Sequence, residues 1–145
     1  MGNSYSLKEM SEKLHISKDT LRYYDRIGLL VPERGDNRYR RYTEDMVNDL
    51  MYIQVMKYAG FSLSEIKQVL NNKRNSFQTE KALCNTLELL SIKKGEVLSK
   101  MDFFKTILHL LNTSIDTVQR KTNESEVDDL VSDIYKTIQN GGKDH

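Results

Sequence analysis

Nine apolar side chains recur between residues 83 and 115 on alternating steps of four and three: Leu83, Leu87, Leu90, Val97, Met101, Phe104, Leu108, Leu111 and Ile115. An average step of 3.5 residues is the repeat of a helix that keeps one stripe turned toward a partner helix. A helix over residues 79–112 is about 50 Å long at 1.5 Å per residue, too long for the preceding residues alone to cover its stripe. A second copy of the chain is the natural partner. The stripe is interrupted once, where Lys94 takes a seam position beside Gly95; the pair either fixes register or admits a bend. The fold class that follows is mainly α. A single proline among 145 residues and a 30% share of charged residues agree with long amphipathic helices rather than a sandwich or barrel.

The residues before the stripe carry helix start signals in close succession. Ser6 followed by Glu9 is a capping box, and Leu7, Met10 and Leu14 repeat at helical spacing, which predicts a helix over about 6–14. His15 and Ile16 make a tight turn. Ser17 then caps a second helix in which Leu21, Tyr24 and Ile27 face inward before Gly28 stops it. Two short helices joined in this way form a helix-turn-helix. Beyond Gly28, "LLVP" and "RYRRY" are strand-compatible segments separated by the turn-rich "ERGDN", so a β-hairpin, or wing, is expected. Thr43 caps a third helix with Met46, Leu50 and Ile53 on its apolar side, ending at Gly60. Ser62 and Glu65 form a second capping box for a short fourth helix through Leu63, Ile66, Val69 and Leu70. The polar run 71–76 reads as a hinge. A polar loop over 112–123 is expected after the long helix, then an amphipathic helix with Val127, Leu130, Val131, Ile134, Tyr135 and Ile138, ending at Gly141. The chain thus divides into a winged helix-turn-helix head (1–75), a dimerisation helix (76–116) and a C-terminal loop and helix (117–145).

Charge is concentrated where the hairpin is expected. "RGDNRYRR" holds four arginines against one aspartate, in a chain whose formal charge is only +1. Such a patch beside a helix-turn-helix suits a phosphate-rich polymer. A recognition helix starting near Ser17 turns Lys18, Thr20, Arg22 and Tyr23 toward a major groove, while Leu21 and Tyr24 turn to the core. Arg34, Asn37, Arg38, Tyr39, Arg40 and Arg41 on the wing would grip the backbone alongside.

Residues 5–70 resemble the DNA-binding domain of the MerR family of bacterial transcriptional regulators. The resemblance rests on "TLRYYDRIGLL", "NRYRRY" and "GFSLSEI" in that order and spacing. It implies DNA-contact roles for Thr20, Arg22, Tyr23, Tyr24, Tyr39 and Arg40, a dimerisation helix from Leu83 that pairs antiparallel with its twin, and a homodimer on double-stranded promoter DNA. It also implies a mechanism in which bending and untwisting realign promoter elements for RNA polymerase, met indirectly through the promoter. Tyr24 would then pack its ring inward and reach a phosphate with its hydroxyl.

Metal-sensing members of the family place cysteines at the start of the dimer helix or in the loop after it. Here 112–123 contains neither Cys nor His. Cys84 is the single cysteine and reads as a small buried residue of the seam; the alternative, a redox or electrophile sensor, needs an activated thiol, for which Lys81 one turn away is the nearest cation in sequence. His15, His109 and His145 have no partner at metal-ligand spacing. No metal or other cofactor is expected. No phosphate-cradling glycine loop, nucleophile elbow or paired catalytic carboxylates mark an enzyme. A signal peptide and a membrane span are likewise absent from the pattern, and one cysteine suits a reducing cytoplasm. The expected signal is a small organic effector, seated among Phe103, Phe104, Leu130, Ile134 and Tyr135 where the last helix meets the dimer helix. An architectural DNA-bending protein, similar to the winged excisionases and needing no effector, is the alternative.

Overall fold

The computed structural model describes residues 2–76 and 78–141; His145 lies outside them. Its elements are β1 (Ser4–Tyr5), α1 (Leu7–Leu14), α2 (Lys18–Arg26), β2 (Glu33–Arg34), β3 (Arg40–Thr43), α3 (Glu44–Tyr58), α4 (Leu63–Arg74), α5 (Glu80–Arg120) and α6 (Ser125–Gly141). The fold is mainly α with a winged helix-turn-helix at its N-terminal end, as the pattern of caps and stripes predicts.

Each predicted cap is in place. Ser6 Oγ accepts from the Glu9 N–H while Glu9 accepts from the Ser6 N–H, and that second bond is the main reason the Glu9 carboxyl sits below its ordinary pKa. Ser17 caps α2, Thr43 caps α3, and Ser62 with Glu65 forms the reciprocal box of α4. The turn between α1 and α2 passes through His15 at φ 54°, ψ 41°, whose N–H closes onto Ser11 O. His15 is thus a helix terminator.

Two compact units emerge, one up to Lys93 and one from Lys94. The first is held by a core of Met10, Leu21, Tyr24, Leu29, Leu30, Tyr42, Leu50, Ile53, Ile66 and Leu70, each almost fully buried. The core corrects the hairpin. Leu29 and Leu30 are interior residues that wrap the end of α2, their N–H groups both bonding Tyr24 O, so "LLVP" forms no strand. The wing pairs Glu33–Arg34 with Arg40–Arg41, and β3 pairs on its other edge with β1, a strand the periodicity did not predict.

The expected hinge at 71–76 is also corrected, because α4 continues to Arg74. Lys73 and Arg74 reach Asp49 on α3 at 3.7 and 3.0 Å, and Asn72 Nδ2 donates to Thr86 Oγ1 at 2.8 Å on α5. These contacts, with Lys93 Nζ 3.1 Å from Glu65, bring the first turns of α5 into the head, which therefore extends past the expected boundary at 75.

In the second unit the expected loop at 112–123 is mostly helix. Once nucleated, a helix adds polar residues at a cost of tenths of a kcal/mol each. It runs to Arg120, and ends where Lys121 takes φ 51° and the Thr122 N–H returns to Thr117 O. On α6, Ile134 is buried and Val127 and Leu130 are half-buried, whereas Val131, Tyr135 and Ile138 are exposed. Helix continues without a break through Lys94 and Gly95. Among the described residues no helix is long and apolar enough to cross a membrane.

Candidate nucleic-acid interface

The cap of α2 decides which of its side chains face outward. Ser17 Oγ accepts from the Thr20 N–H at 3.1 Å and shares a second hydrogen bond with Thr20 Oγ1 at 2.7 Å, so Thr20 is committed to the cap. Lys18, Arg22 and Tyr23 are exposed, while Leu21 and Tyr24 point into the core as their spacing predicts. Arg22 Nη1 lies 2.9 Å from Asp19 Oδ1, an exposed pair that adds little stability but steadies the guanidinium.

The wing folds back over this helix. Lys18 and Arg22 meet Arg38, Tyr39 and Arg40 around an open cleft of about 400 Å³, which Ser6, Leu7 and Lys8 complete from the start of α1. Among the described residues, five cations and no carboxylate line it. Mutually repelling charges collected this way attract a polyanion, and the mix of guanidinium, ammonium and phenol matches phosphate and base-edge chemistry. Tyr39 is 72% exposed. Asn37 and Arg38 sit on the wing's turn, where Arg38 takes φ 62° and its N–H bonds Gly35 O.

Three arginines of the wing are already engaged. Arg34 Nη2 and Arg40 Nε both donate to Asp25 Oδ2 at 2.8 Å, and Arg41 Nη1 donates to Ser4 Oγ at 3.0 Å on β1. Asp25 was not singled out by sequence, and neither was Lys8. The available signal was that Asp25 falls four residues after the buried Leu21, on a face where a carboxylate needs a cationic partner.

Tyr24 departs from its expected dual role. It is 1% exposed, and its hydroxyl accepts from Lys57 Nζ at 3.0 Å. The phenol belongs to the core, and the group it presents outward is the Lys57 ammonium.

With this geometry established, the chain can be placed among known proteins. The family described as MerR HTH family regulatory protein matches residues 5–73. The mercuric resistance operon regulatory protein of Bacillus cereus is 32% identical over 109 residues, covering 74% of this chain and 80% of that protein. This chain belongs to the MerR family. The structure of HiNmlR, a MerR family regulator lacking the sensor domain and bound to promoter DNA, is 28% identical with a TM-score of 0.68, covering 81% of this chain and 92% of that one. A MerR family transcriptional regulator from Bacillus cereus shares the fold at 23% identity and a TM-score of 0.63, covering 93% of this chain and 99% of that one. MerR proteins are transcriptional regulators, not enzymes, and so is this one.

The remaining features expected of a MerR protein lie on α5 and α6. Every apolar residue of the seam, from Leu83 and Leu87 through Leu90, Val97, Met101, Phe104, Leu108 and Leu111 to Ile115, is between 38% and 64% exposed in the single chain. Cys84 is exposed in the single chain as well, like Leu83 and Leu87 beside it. Of the expected effector residues, Phe103 and Ile134 line a cleft of about 320 Å³ together with Ser99, Asp102, Thr106 and Thr137. Leu130 is half-buried outside that lining. Phe104 and Tyr135 are exposed and are not among the residues that line it. His109 lies in a separate polar cleft with Asp116, Arg120 and Glu126.

Proposed function

We propose that this protein is a homodimeric, sequence-specific transcriptional regulator that binds promoter DNA, bends and untwists it, and responds to a small organic effector or stress signal. The observation that carries the reading is the convergence of Lys18 and Arg22 from α2 with Arg38, Tyr39 and Arg40 from the wing around one cation-lined cleft. The N-terminal turns of α2 would enter the major groove while the wing holds the adjacent phosphates. Two heads joined through a long helix grip a site at both ends, which is the arrangement that can work against DNA stiffness. Polymerase is met through the reshaped promoter, in the cytoplasm.

Dimerisation is supported by the exposed stripe on α5. An apolar stripe this long on a single chain marks an interaction surface, and its 3.5-residue step suits an identical helix. The organic effector is supported by the Phe103–Ile134 cleft and by a 112–123 segment without Cys or His.

A footprint on DNA upstream of the protein's own gene tests the reading. Protection centred between promoter elements with an overlong spacer is expected; protection at a recombination site would favour a purely architectural role. Arg22→Ala should lose about 1–3 kcal/mol of affinity for the protected site, and equal binding by the two proteins would refute the groove assignment. Removal of residues 124–145 should leave DNA binding intact and abolish inducible transcription. Normal induction by the truncated protein would overturn the effector assignment.

A further inference from the structure

We propose that Asp25 is a specificity-determining residue that positions Arg40 against DNA while holding down attachment to DNA at large; this rests on the DNA-binding reading above. Asp25 lies on the recognition helix, with its side chain only 11% exposed. A carboxylate so enclosed needs cationic partners, and both come from the wing. Arg34 Nη2 and Arg40 Nε reach the same oxygen, Oδ2, at 2.8 Å each. Arg34 and Arg40 are themselves cross-strand partners in the wing's two-stranded ladder. One carboxylate therefore ties both wing strands to the helix that would read the groove.

The bond to Arg40 is made through Nε. The Arg40 side chain makes no other hydrogen bond among the described residues, and it lines the basic cleft beside Lys18 and Arg22. Clamping Nε fixes the plane of the guanidinium and leaves the two η nitrogens to meet a phosphate as a fork. A contact fixed in advance loses less side-chain entropy on binding.

The same carboxylate has an opposite effect on DNA in general. Non-specific attachment follows the number of phosphates that cations can neutralise, and Asp25 offsets part of the charge of two arginines. Asp25 thus strengthens binding where the wing and groove geometry fit and weakens it elsewhere. Simple electrostatics makes the contrary prediction: removing an acid from a DNA-facing surface tightens binding to every sequence.

The experiment uses the full chain and two duplexes of equal length, one enriched from a randomised pool by the wild-type protein and one with that sequence scrambled. Asp25→Asn, which keeps the shape and removes the charge, should bind the enriched duplex about tenfold or more weakly. Its binding to the scrambled duplex should be unchanged or tighter. Combining Asp25→Asn with Arg40→Ala should bind the enriched duplex no more weakly than Arg40→Ala alone, since Asp25 acts through Arg40. Arg40→Lys should lose as much as Arg40→Ala, because an ammonium cannot bond Asp25 and present a fork together; this arm decides the matter if Asp25→Asn does not fold. Parallel tightening or parallel weakening of Asp25→Asn on both duplexes overturns the proposal, and so does wild-type binding by Arg40→Lys. If the wild type enriches no sequence, the DNA-binding reading fails and this inference with it. If Arg22→Ala loses affinity while Asp25→Asn does not, only this inference fails.

Discussion

Leu90→Asp is expected to turn the protein into a monomer. An antiparallel pair that uses every seam position sets Leu83 against Ile115 of the partner, Leu87 against Leu111, Leu90 against Leu108, Lys94 against Phe104 and Val97 against Met101. Leu90 is 43% and Leu108 57% exposed, so each has roughly half its side chain left to bury, about 1 kcal/mol apiece at 25 cal/mol per Å². Twofold symmetry makes the substitution count twice. About 2 kcal/mol of apolar burial disappears, and two carboxylates are forced against leucine at a further cost of several kcal/mol. A total near 5 kcal/mol or more raises the dimer dissociation constant over about a thousandfold. Sedimentation equilibrium across a concentration series measures this directly. Adding Leu108→Lys to Leu90→Asp should restore much of the dimer, because the new charges face each other twice in this register. Adding Phe104→Lys should not. A Leu90→Asp protein still dimeric at micromolar concentration would refute the stripe as the interface, and equal rescue by Phe104→Lys would refute the register.

Lys94→Leu should tighten the dimer by roughly 2 kcal/mol, as expected when a seam charge facing Phe104 gives way to an apolar side chain twice over; unchanged sedimentation would place Lys94 outside the interface. Tyr42→Phe should leave stability unchanged or raise it by about 1 kcal/mol, because the Tyr42 hydroxyl is buried without a hydrogen-bond partner among the described residues. A loss above that size in denaturant titration would reveal a hidden partner. The Glu65 carboxyl is held below its ordinary value of 4.5, chiefly by the Ser62 N–H bond and secondarily by Lys93. A depressed folded-state pKa contributes stability above 4.5 that is lost as pH falls through the folded value. Glu65→Gln should therefore cost on the order of 1 kcal/mol at neutral pH and converge on the wild type in acid; a constant difference across that range would show that Glu65 acts only through its shape.

Local chemistry made the starts of the first four helices readable without any structure. Ser6 with Glu9, Ser17, Thr43, and Ser62 with Glu65 satisfy backbone groups within three residues of themselves, so sequence distance and spatial distance coincide. The α5 stripe was readable for a related reason, since its periodicity is a property of the helix itself. Order and spacing of the head motifs likewise carried the family resemblance.

Tertiary contacts decided the rest. Leu29 and Leu30 look like strand residues by composition, yet the core beneath the end of α2 needed their volume more than the sheet needed their backbone. Run 71–74 looks like a hinge, but Asp49 and Thr86, brought near by the packing of α3 and α5, supply partners that keep it helical. Tyr24 carried two expectations, and Lys57, 33 residues away, settled its hydroxyl in the interior. Asp25 shows the limit most clearly: a lone acid in a basic run is neutral information in sequence. It becomes the joint between recognition helix and wing only when the hairpin folds back and places Arg34 and Arg40 within 2.8 Å of one oxygen. Charge pairs across such distances depend on the path of the whole chain, which no local pattern encodes.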